Sequence, residues 1–193
     1  DRLLHRVTSC MNSPLELRLT GYVGDDPSEV SLALYSDADF AGCKNTARST
    51  TGVFLALVGP NTFVPLAAVS KRQSCVSHST AEAEIVAANT AERTIGLPTK
   101  VLMEFVLNKD VDLVRHEDNQ ATLRVIKTGR SPALRHLSRT HHVNIAWLTE
   151  RVNERELHPQ YVDTSKQASD IFTKSFTNLV KWMSALQLLG MVY

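Results

Sequence analysis

Four carboxylates in this chain occur at positions where acidic side chains could meet. Asp37 and Asp118 each end an apolar run with the composition of a buried strand, and strand ends are where sites form in α/β sheets. Glu84 lies in an alanine-rich stretch whose small side chains permit close approach to a sheet, and Asp170 begins a turn before two apolar residues. Taken singly, each acid has a simpler explanation as a solvated surface group or a helix N-terminal charge.

Convergence of the four carboxylates would give them a shared chemistry. Without neutralising bases they would repel one another strongly, so a metal ion is the natural counter-charge. Mg²⁺ binds carboxylate oxygens together with water and substrate phosphate. Two such ions about 3.5–4 Å apart can stabilise the attacking and leaving oxygens of a phosphoryl transfer. The expected chemistry is therefore metal-dependent cleavage of a phosphodiester.

The hydrophobic pattern predicts the elements that would position these acids. Three apolar runs, 30–37, 51–59 and 62–70, predict strands, and the short turn between the last two predicts a hairpin. Pro65 inside the third run indicates an edge strand or a bulge. A helix is expected from Ser79 or Thr80 to about residue 95, where Gly96 and Pro98 should end it.

The second half of the chain alternates helical and strand patterns. The predicted elements are a helix to about 107, a strand over 111–118, a helix over 119–127, a helix over 139–155, a strand over 157–163, and helices over 165–174 and 176–189. The order βββαβαβα calls for an α/β fold with a mixed five-stranded sheet flanked by helices.

Composition narrows the class of protein. The chain has 193 residues, enough for one domain with a full core, and its net charge of +1 indicates no partner by itself. From Arg124 to His142, however, basic residues occur without an acid, a pattern that suits a polyanion. Three scattered cysteines indicate neither a disulfide framework nor a zinc site, and suggest a reduced compartment. No apolar run is long enough to span a membrane, and the start at Asp1 indicates a fragment of something larger.

Five segments, in this order and spacing, carry a family resemblance: YSDADFAG, RSTTGVFLAL, STAEAEIVAAN, EDNQATL and ASDIFTK. Together they resemble the ribonuclease H domain of copia-type LTR retrotransposon polyproteins, through residues 31–174. The resemblance implies hydrolysis of the RNA strand of RNA/DNA hybrids with two Mg²⁺ ions, which Mn²⁺ can replace. It also implies a tethered reverse transcriptase and an intracellular location, in the cytoplasm, in virus-like particles or in the nucleus.

The resemblance also implies the site residues and the domain limits. The matched metal ligands and catalytic residues are Asp37 (rather than Asp39), Glu84, Asp118 and Asp170. Residues 1–29 match a connection after the reverse transcriptase, 30–174 the ribonuclease H domain, and 175–193 a C-terminal helix. The sequence departs from the family pattern at Phe40, usually tryptophan, and at His141, usually a basic residue before the histidine. No histidine occurs in 163–167, so histidine-assisted proton transfer or product release is not expected there.

Further residues are predicted to contact the substrate. Phosphate contacts come mainly from Arg, Lys and polar side chains, and 2′-hydroxyls mark RNA in the minor groove. The predicted substrate-binding residues are Asn119, Gln120, Arg135, Arg139 and His142. Two simpler explanations stay open: Asn119 could cap the helix that follows it, and the basic residues could form a solvated helix turn.

Two other functions remain possible from the sequence. A DNA transposase or integrase would share the fold, but it needs a different acidic spacing and the ASDIFTK string disfavours it. A non-catalytic binding or scaffolding module, domesticated or decayed, would be expected to lack one or more acids, and all four are present.

Overall fold

In the computed structural model, which describes residues 4, 5, 8, 9, 12 and 16–192, a five-stranded mixed sheet forms the centre of the fold. The strands of the structure are β1 (Arg18–Leu19), β2 (Ser31–Asp39), β3 (Thr50–Gly59), β4 (Thr62–Arg72), β5 (Leu113–Glu117), β6 (His158–Tyr161) and β7 (Met191–Val192). The central sheet has the order β4-β3-β2-β5-β6. β2 pairs antiparallel with β3 and parallel with β5, and β5 pairs parallel with β6. The predicted sheet is confirmed.

Pro65 lies in an edge strand and beside an irregularity, as the sequence predicts. β4 is the edge strand next to β3, and its pairing register shifts where Leu55 pairs with Ala67 and Ala56 pairs with Pro65. Leu66 is therefore the extra residue of a β-bulge. Proline is tolerated here because an edge strand leaves alternate N–H groups without a partner strand.

The helices of the structure are α1 (Thr80–Ala91), α2 (Leu97–Leu107), α3 (Gln120–Thr128), α4 (Leu137–Thr140), α5 (Ile145–Asn153) and α6 (Leu179–Leu188). The predicted break at Gly96 and Pro98 is wrong, because a π-helical turn, Glu92–Gly96, joins α1 to α2. Gly96 serves packing instead: a Cβ there would lie 2.8 Å from Leu34 Cδ2. Pro98 lies in the first turn of α2, a position that tolerates proline.

Two other helix predictions are corrected. The helix expected over 139–155 is divided into α4 and α5, because His142 has a φ of 56° and the Asn144 side chain caps α5. The segment 165–174, also expected to be helical, forms two 3₁₀ turns, Thr164–Lys166 and Ala168–Phe172.

Apolar side chains pack on both faces of the sheet. On one face, Leu32, Leu55 and Leu113 belong to a buried cluster against the α1–α2 region. On the other face, Phe54 and Ala168 belong to a second cluster with the C-terminal segment. A third cluster joins α1 to α3, α4 and α5, so α1 lies between the sheet and a further layer of helices.

Two short strands near the ends of the continuous described range, 16–192, pair with each other. β1 pairs antiparallel with β7, and Thr20 N donates to Gly190 O at 2.8 Å. Part of the predicted lead-in, 1–29, lies outside the described residues, as does residue 193 of the predicted C-terminal segment. The limits of these segments stay a prediction. No helix in the described part of the chain is long and apolar enough to cross a membrane.

Candidate active site

Asp37 and Asp118 come together because β2 and β5 are parallel neighbours. Tyr35 on β2 pairs with His116 on β5, and each aspartate lies two residues further along its own chain. The carboxyl ends of parallel strands meet at one edge of a sheet, which is where α/β folds place their sites. Asp37 is 3% exposed, so its carboxylate lies at the buried inner wall of this edge.

Glu84 reaches the same edge from α1. Ala83 and Ala87 form a small buried cluster with Ala38 of β2, and these short side chains allow the helix to approach the sheet closely. An open cleft of about 530 Å³ results, lined by Asp37, Ala38, Thr80, Glu84, Asp118, Asn119, Gln120, Ala121 and Lys174. Three of the four predicted metal ligands therefore line one cleft.

The surroundings of Glu84 oppose the ionisation of its side chain. Burial raises the pKa of Glu84 to about 9, and the charges of Asp37, Glu117 and Asp118 act in the same direction. Glu84 Oε2 is buried and has no hydrogen-bond partner. The carboxylate is thus held in a position where both its desolvation and its neighbours oppose its charge.

Asp170 lies beside the cleft rather than in its lining. Its carboxylate belongs to the 3₁₀ turn Ala168–Phe172 and accepts a hydrogen bond from Lys174 Nζ at 2.6 Å. Burial raises the pKa of Asp170 to about 6 although the Lys174 hydrogen bond opposes this shift, and the charge of Asp37 adds to the rise. The charge of Asp37, which lines the cleft, therefore influences the ionisation of Asp170.

Thr173 and Lys174 are site residues that the sequence analysis did not single out. Thr173 Oγ1 donates to Asp37 Oδ2, and Lys174 Nζ lies 3.5 Å from Asp37 Oδ1. Both belong to the ASDIFTK string, and the spacing of four residues between Asp170 and Lys174 was the signal available for the ion pair.

The segment after β6 holds Asp118. Thr164 Oγ1 donates to Asp118 Oδ2 at 2.9 Å. Gln167, which is 2% exposed, donates from Nε2 to the carbonyl oxygen of Ser36 at 3.2 Å. These contacts connect the segments that carry Asp118 and Asp170 to each other and to β2. The site is therefore stabilised by parts of the chain that are more than 100 residues apart.

A buried ion network lies behind the carboxylates. Arg115, fully buried on β5, contacts Glu117 at 2.6 Å and Glu92 at 3.2 Å, and it donates to Ser36 Oγ at 2.8 Å. Burial raises the pKa of Glu92 to about 7 against the opposing charge of Arg115. Glu117 in turn accepts from the backbone N–H of Asn119 at 3.1 Å, which helps to position the residue after Asp118.

The predicted orientation of α1 is corrected. At about 100° per residue, Ala81, Ile85, Ala88 and Ile95 fall on one side of the helix, and the sequence therefore predicts that this side faces the sheet and that Glu82 faces solvent. In the structure Ala83 and Ala87 pack on the sheet, whereas Ile85 and Ala88 pack on the other helices.

Glu82 is only 1% exposed and faces the segment that contains α4. Its carboxylate lies 2.9 Å from His141 Nε2 and 3.2 Å from His136 Nε2, and it accepts from the His78 N–H at 2.9 Å. Burial raises the pKa of Glu82, but these three partners outweigh it and leave a net lowering. Glu82 is therefore a buried anchor between α1 and the basic segment, which we define as residues 130–142.

The predicted substrate-binding residues do not form one group. Asn119 and Gln120 line the cleft, and Asn119 Oδ1 also caps α3 through Ala121 N and Thr122 N, so the capping explanation is confirmed. Arg135 lines a separate cavity of about 450 Å³ on the basic segment. Arg139 and His142 lie on that segment, outside the lining of both cavities.

No group of three or more His, Cys, Asp or Glu side chains in residues 4, 5, 8, 9, 12 and 16–192 has the arrangement of a formed metal site. The chemistry of the cleft nevertheless suits a hard cation, since its donors are carboxylate oxygens and one of them is buried without a partner. Lys174 Nζ lies 2.6 Å from Asp170 Oδ1 and 3.5 Å from Asp37 Oδ1, beside two of the predicted ligands.

The fold defined by this sheet and its helices is ribonuclease H-like. Two solved structures match it at a TM-score of 0.50 each. LC11-RNase H1, isolated from compost by a metagenomic approach, is 15% identical, and the match covers 74% of this chain and 92% of that one. The PFV RNase H domain is 13% identical, with 83% of this chain and 92% of that one covered. No protein-family model matches the chain.

The resemblance stated from the sequence is confirmed by a curated relative. The chain is 29% identical over 153 residues, 78% of its length, to the Retrovirus-related Pol polyprotein from transposon TNT 1-94 of Nicotiana tabacum. The chain spans 10% of the length of that relative. The chain thus has a ribonuclease H-like fold and is similar to one segment of a transposon polyprotein.

Proposed function

We propose that this chain is a ribonuclease H that hydrolyses the RNA strand of RNA/DNA hybrids with divalent metal ions. One observation carries the proposal: Asp37, Glu84 and Asp118 line a single open cleft at the carboxyl ends of two parallel strands of a ribonuclease H-like fold. The similarity to a transposon Pol polyprotein supports a role in reverse transcription, next to a polymerase domain of the same polyprotein, and a copia-type element is the proposed origin.

Asp37, Glu84, Asp118 and Asp170 are the residues that would hold Mg²⁺ or Mn²⁺. A bound pair of such ions supplies Lewis-acid stabilisation of the charge that develops on the phosphate. The protein contributes preorganisation: Thr173 orients Asp37, Thr164 orients Asp118, and Glu84 is held by the packing of α1 on β2. Electrostatic preorganisation of this kind is commonly the largest single contribution to catalysis.

Asn119 and Gln120, which line the cleft, are proposed to contact the hybrid. The Oδ1 atom of Asn119 caps α3, so its amide nitrogen is the donor left for a 2′-hydroxyl or base edge. Arg135, Arg139 and His142 are proposed to extend the contact to phosphates along the basic segment. The cavity on that segment is lined by Arg130 and Arg135 and by no acidic residue among those that the structure describes.

The metal and substrate specificity can be tested with the purified chain and labelled RNA/DNA, RNA/RNA and DNA/DNA duplexes. With Mg²⁺ or Mn²⁺ the RNA strand of the hybrid should be cut, and EDTA should stop the reaction. Ca²⁺ should bind but support little turnover, because its looser coordination does not impose near-octahedral geometry. Cleavage of duplex DNA at a comparable rate would contradict the proposal and favour a transposase.

The role of the basic segment can be tested through the salt dependence of hybrid binding. Arg135→Ala and Arg139→Ala should each weaken binding, and the slope of log K against log salt should fall by about 0.7–0.9 for each phosphate that is no longer neutralised. Arg93→Ala, at an exposed position in the π-helical turn, is the matched control and should leave the slope unchanged. Equal slopes in all three variants and the wild type would assign the basic residues to a solvated surface.

One observation favours the alternative, a non-catalytic nucleic-acid-binding module. Lys174 already neutralises Asp170 and approaches Asp37, so the carboxylates have a counter-ion without any metal. A chain that binds hybrid with equal affinity in Mg²⁺ and in EDTA, and cuts it in neither, would establish that alternative.

A further inference from the structure

Lys174 is the one cationic side chain among the residues that line the cleft in the described part of the chain. Its ammonium group lies 2.6 Å from Asp170 Oδ1 and 3.5 Å from Asp37 Oδ1, and its side chain is 43% exposed. It therefore joins two carboxylates from different segments and remains open to solvent on its other side.

The backbone around Lys174 is held against the sheet. Its N–H donates to Asp170 O at 2.9 Å, which closes a turn over residues 170–174. Ser70 Oγ on β4 donates to Phe172 O at 2.6 Å. The segment also packs on Gly52 of β3, where a Cβ would lie 2.7 Å from Thr173 Cγ2.

The close approach at Gly52 shows how little freedom this turn has. A Cβ at Gly52 would also lie 2.8 Å from Ser169 O, so any side chain there would push the turn away from the sheet. The backbone at Lys174 is thus fixed in position. The charge of Lys174 can move within the cleft only through rotations of its flexible four-carbon side chain.

We propose that Lys174 is an internal counter-ion that competes with divalent cations for Asp37 and Asp170, and so sets the ion concentration at which the site fills. This inference rests on the proposed metal-dependent function of the cleft. An ion that ligates Oδ1 of Asp37 or Asp170 must displace the ammonium group from beside that oxygen. The positive charge left nearby then repels the incoming cation.

The competition can be measured without substrate, by calorimetric titration of Mg²⁺ and of Mn²⁺ at pH 8 into the wild-type chain, Lys174→Met and Lys174→Arg. Lys174→Met keeps most of the length of the side chain but removes the charge, and it should bind the ions on the order of tenfold more tightly. Lys174→Arg retains the charge and should stay within about twofold of the wild type. Lys127→Met removes a charge at an exposed position of α3. It is the control and should leave the ion affinity unchanged.

Thermal unfolding separates the counter-ion role from a structural one. In EDTA, Lys174→Met should melt below the wild type because Asp37 and Asp170 no longer have their partner, yet its melting temperature should rise more steeply with added Mg²⁺. Weaker or unchanged ion binding in Lys174→Met would overturn the inference, as would a wild-type chain that binds neither ion.

The outcome for Lys174 is distinguishable from the outcome for the proposed function. A wild-type chain that cuts hybrid, together with a Lys174→Met variant of unchanged ion affinity, would refute only the counter-ion inference. A wild-type chain that binds Mg²⁺ and leaves hybrid intact, together with tighter binding by Lys174→Met, would refute only the nuclease proposal.

Discussion

Glu84→Gln is expected to abolish metal-dependent cleavage of the hybrid while leaving the folded domain more stable than the wild type. The substitution keeps the shape of the side chain and removes a ligand charge from the cleft, so activity should fall by about three orders of magnitude or more. The stability gain follows from the same charge, because Glu84 is buried and faces the carboxylates of Asp37 and Asp118.

The size of this stability effect depends on pH. Burial raises the pKa of Glu84 in the folded chain to about 9 from 4.5, so above pH 4.5 the unfolded chain loses a proton that the folded chain retains, and this difference penalises folding. The penalty should be absent below pH 4.5 and should increase up to about pH 9. In EDTA at pH 7 to 8, Glu84→Gln should therefore gain on the order of a few kcal/mol in the free energy of unfolding.

Glu82→Gln is the matched comparison, two residues away on the same helix. Its carboxylate is buried between His136 and His141, so the variant should lose about 1–3 kcal/mol of stability. At a temperature where it remains folded, it should retain most of its activity. Urea denaturation and initial cleavage rates of both variants decide the matter. An inactive Glu82→Gln beside an active Glu84→Gln would contradict the site described above.

Arg115→Met is expected to cost about 3–5 kcal/mol in the free energy of unfolding, because it leaves Glu92 and Glu117 buried without their cation. Removal of one partner from a buried ion network is far more destabilising than replacement of the whole network by groups without charge. The triple variant Arg115→Met, Glu92→Gln, Glu117→Gln should therefore recover much of the loss.

Urea denaturation at pH 7 measures this effect, with Arg93→Met as the control at an exposed position. Since the pKa of Glu92 is already raised to about 7 by burial, acidification towards pH 5 should reduce the loss by protonating the unpaired acids. A loss below about 1 kcal/mol for Arg115→Met would indicate that water or another group solvates the two glutamates.

Local patterns in the sequence were sufficient for the strands of the central sheet and for the order of those strands along the chain, whereas β1 and β7 were not predicted. The runs of β-branched and apolar residues predicted all five strands of the central sheet, and Pro65 predicted both the edge position and the bulge. These features depend on chemistry within a few residues, namely the pattern of apolar side chains along a strand and the missing backbone N–H of proline. The convergence of Asp37 and Asp118 was different: local patterns predicted only that each aspartate ends a strand, and the parallel pairing of β2 with β5 brings the two strand ends together.

Only the tertiary structure decided which faces of α1 are buried. A helical wheel with one apolar side assumes that the helix packs against one neighbouring layer. Helix α1, however, lies between the sheet and the layer formed by α3–α5, and Glu82 is buried on the side that faces away from the sheet. Gly96 is a second example of a feature that the sequence pattern did not predict. Its lack of a side chain allows close contact with Leu34, and the helix continues past it.

The charges around the site were also decided by tertiary contacts. Lys174 approaches Asp37 from a distant part of the chain, and Arg115 meets Glu92 through the packing of β5 against the end of α1. The sequence determined which carboxylates are present and that strand ends would carry two of them. Which cations balance them depends on distances between segments that only the folded chain brings within a few ångströms, because charge interactions weaken with distance and with exposure to water.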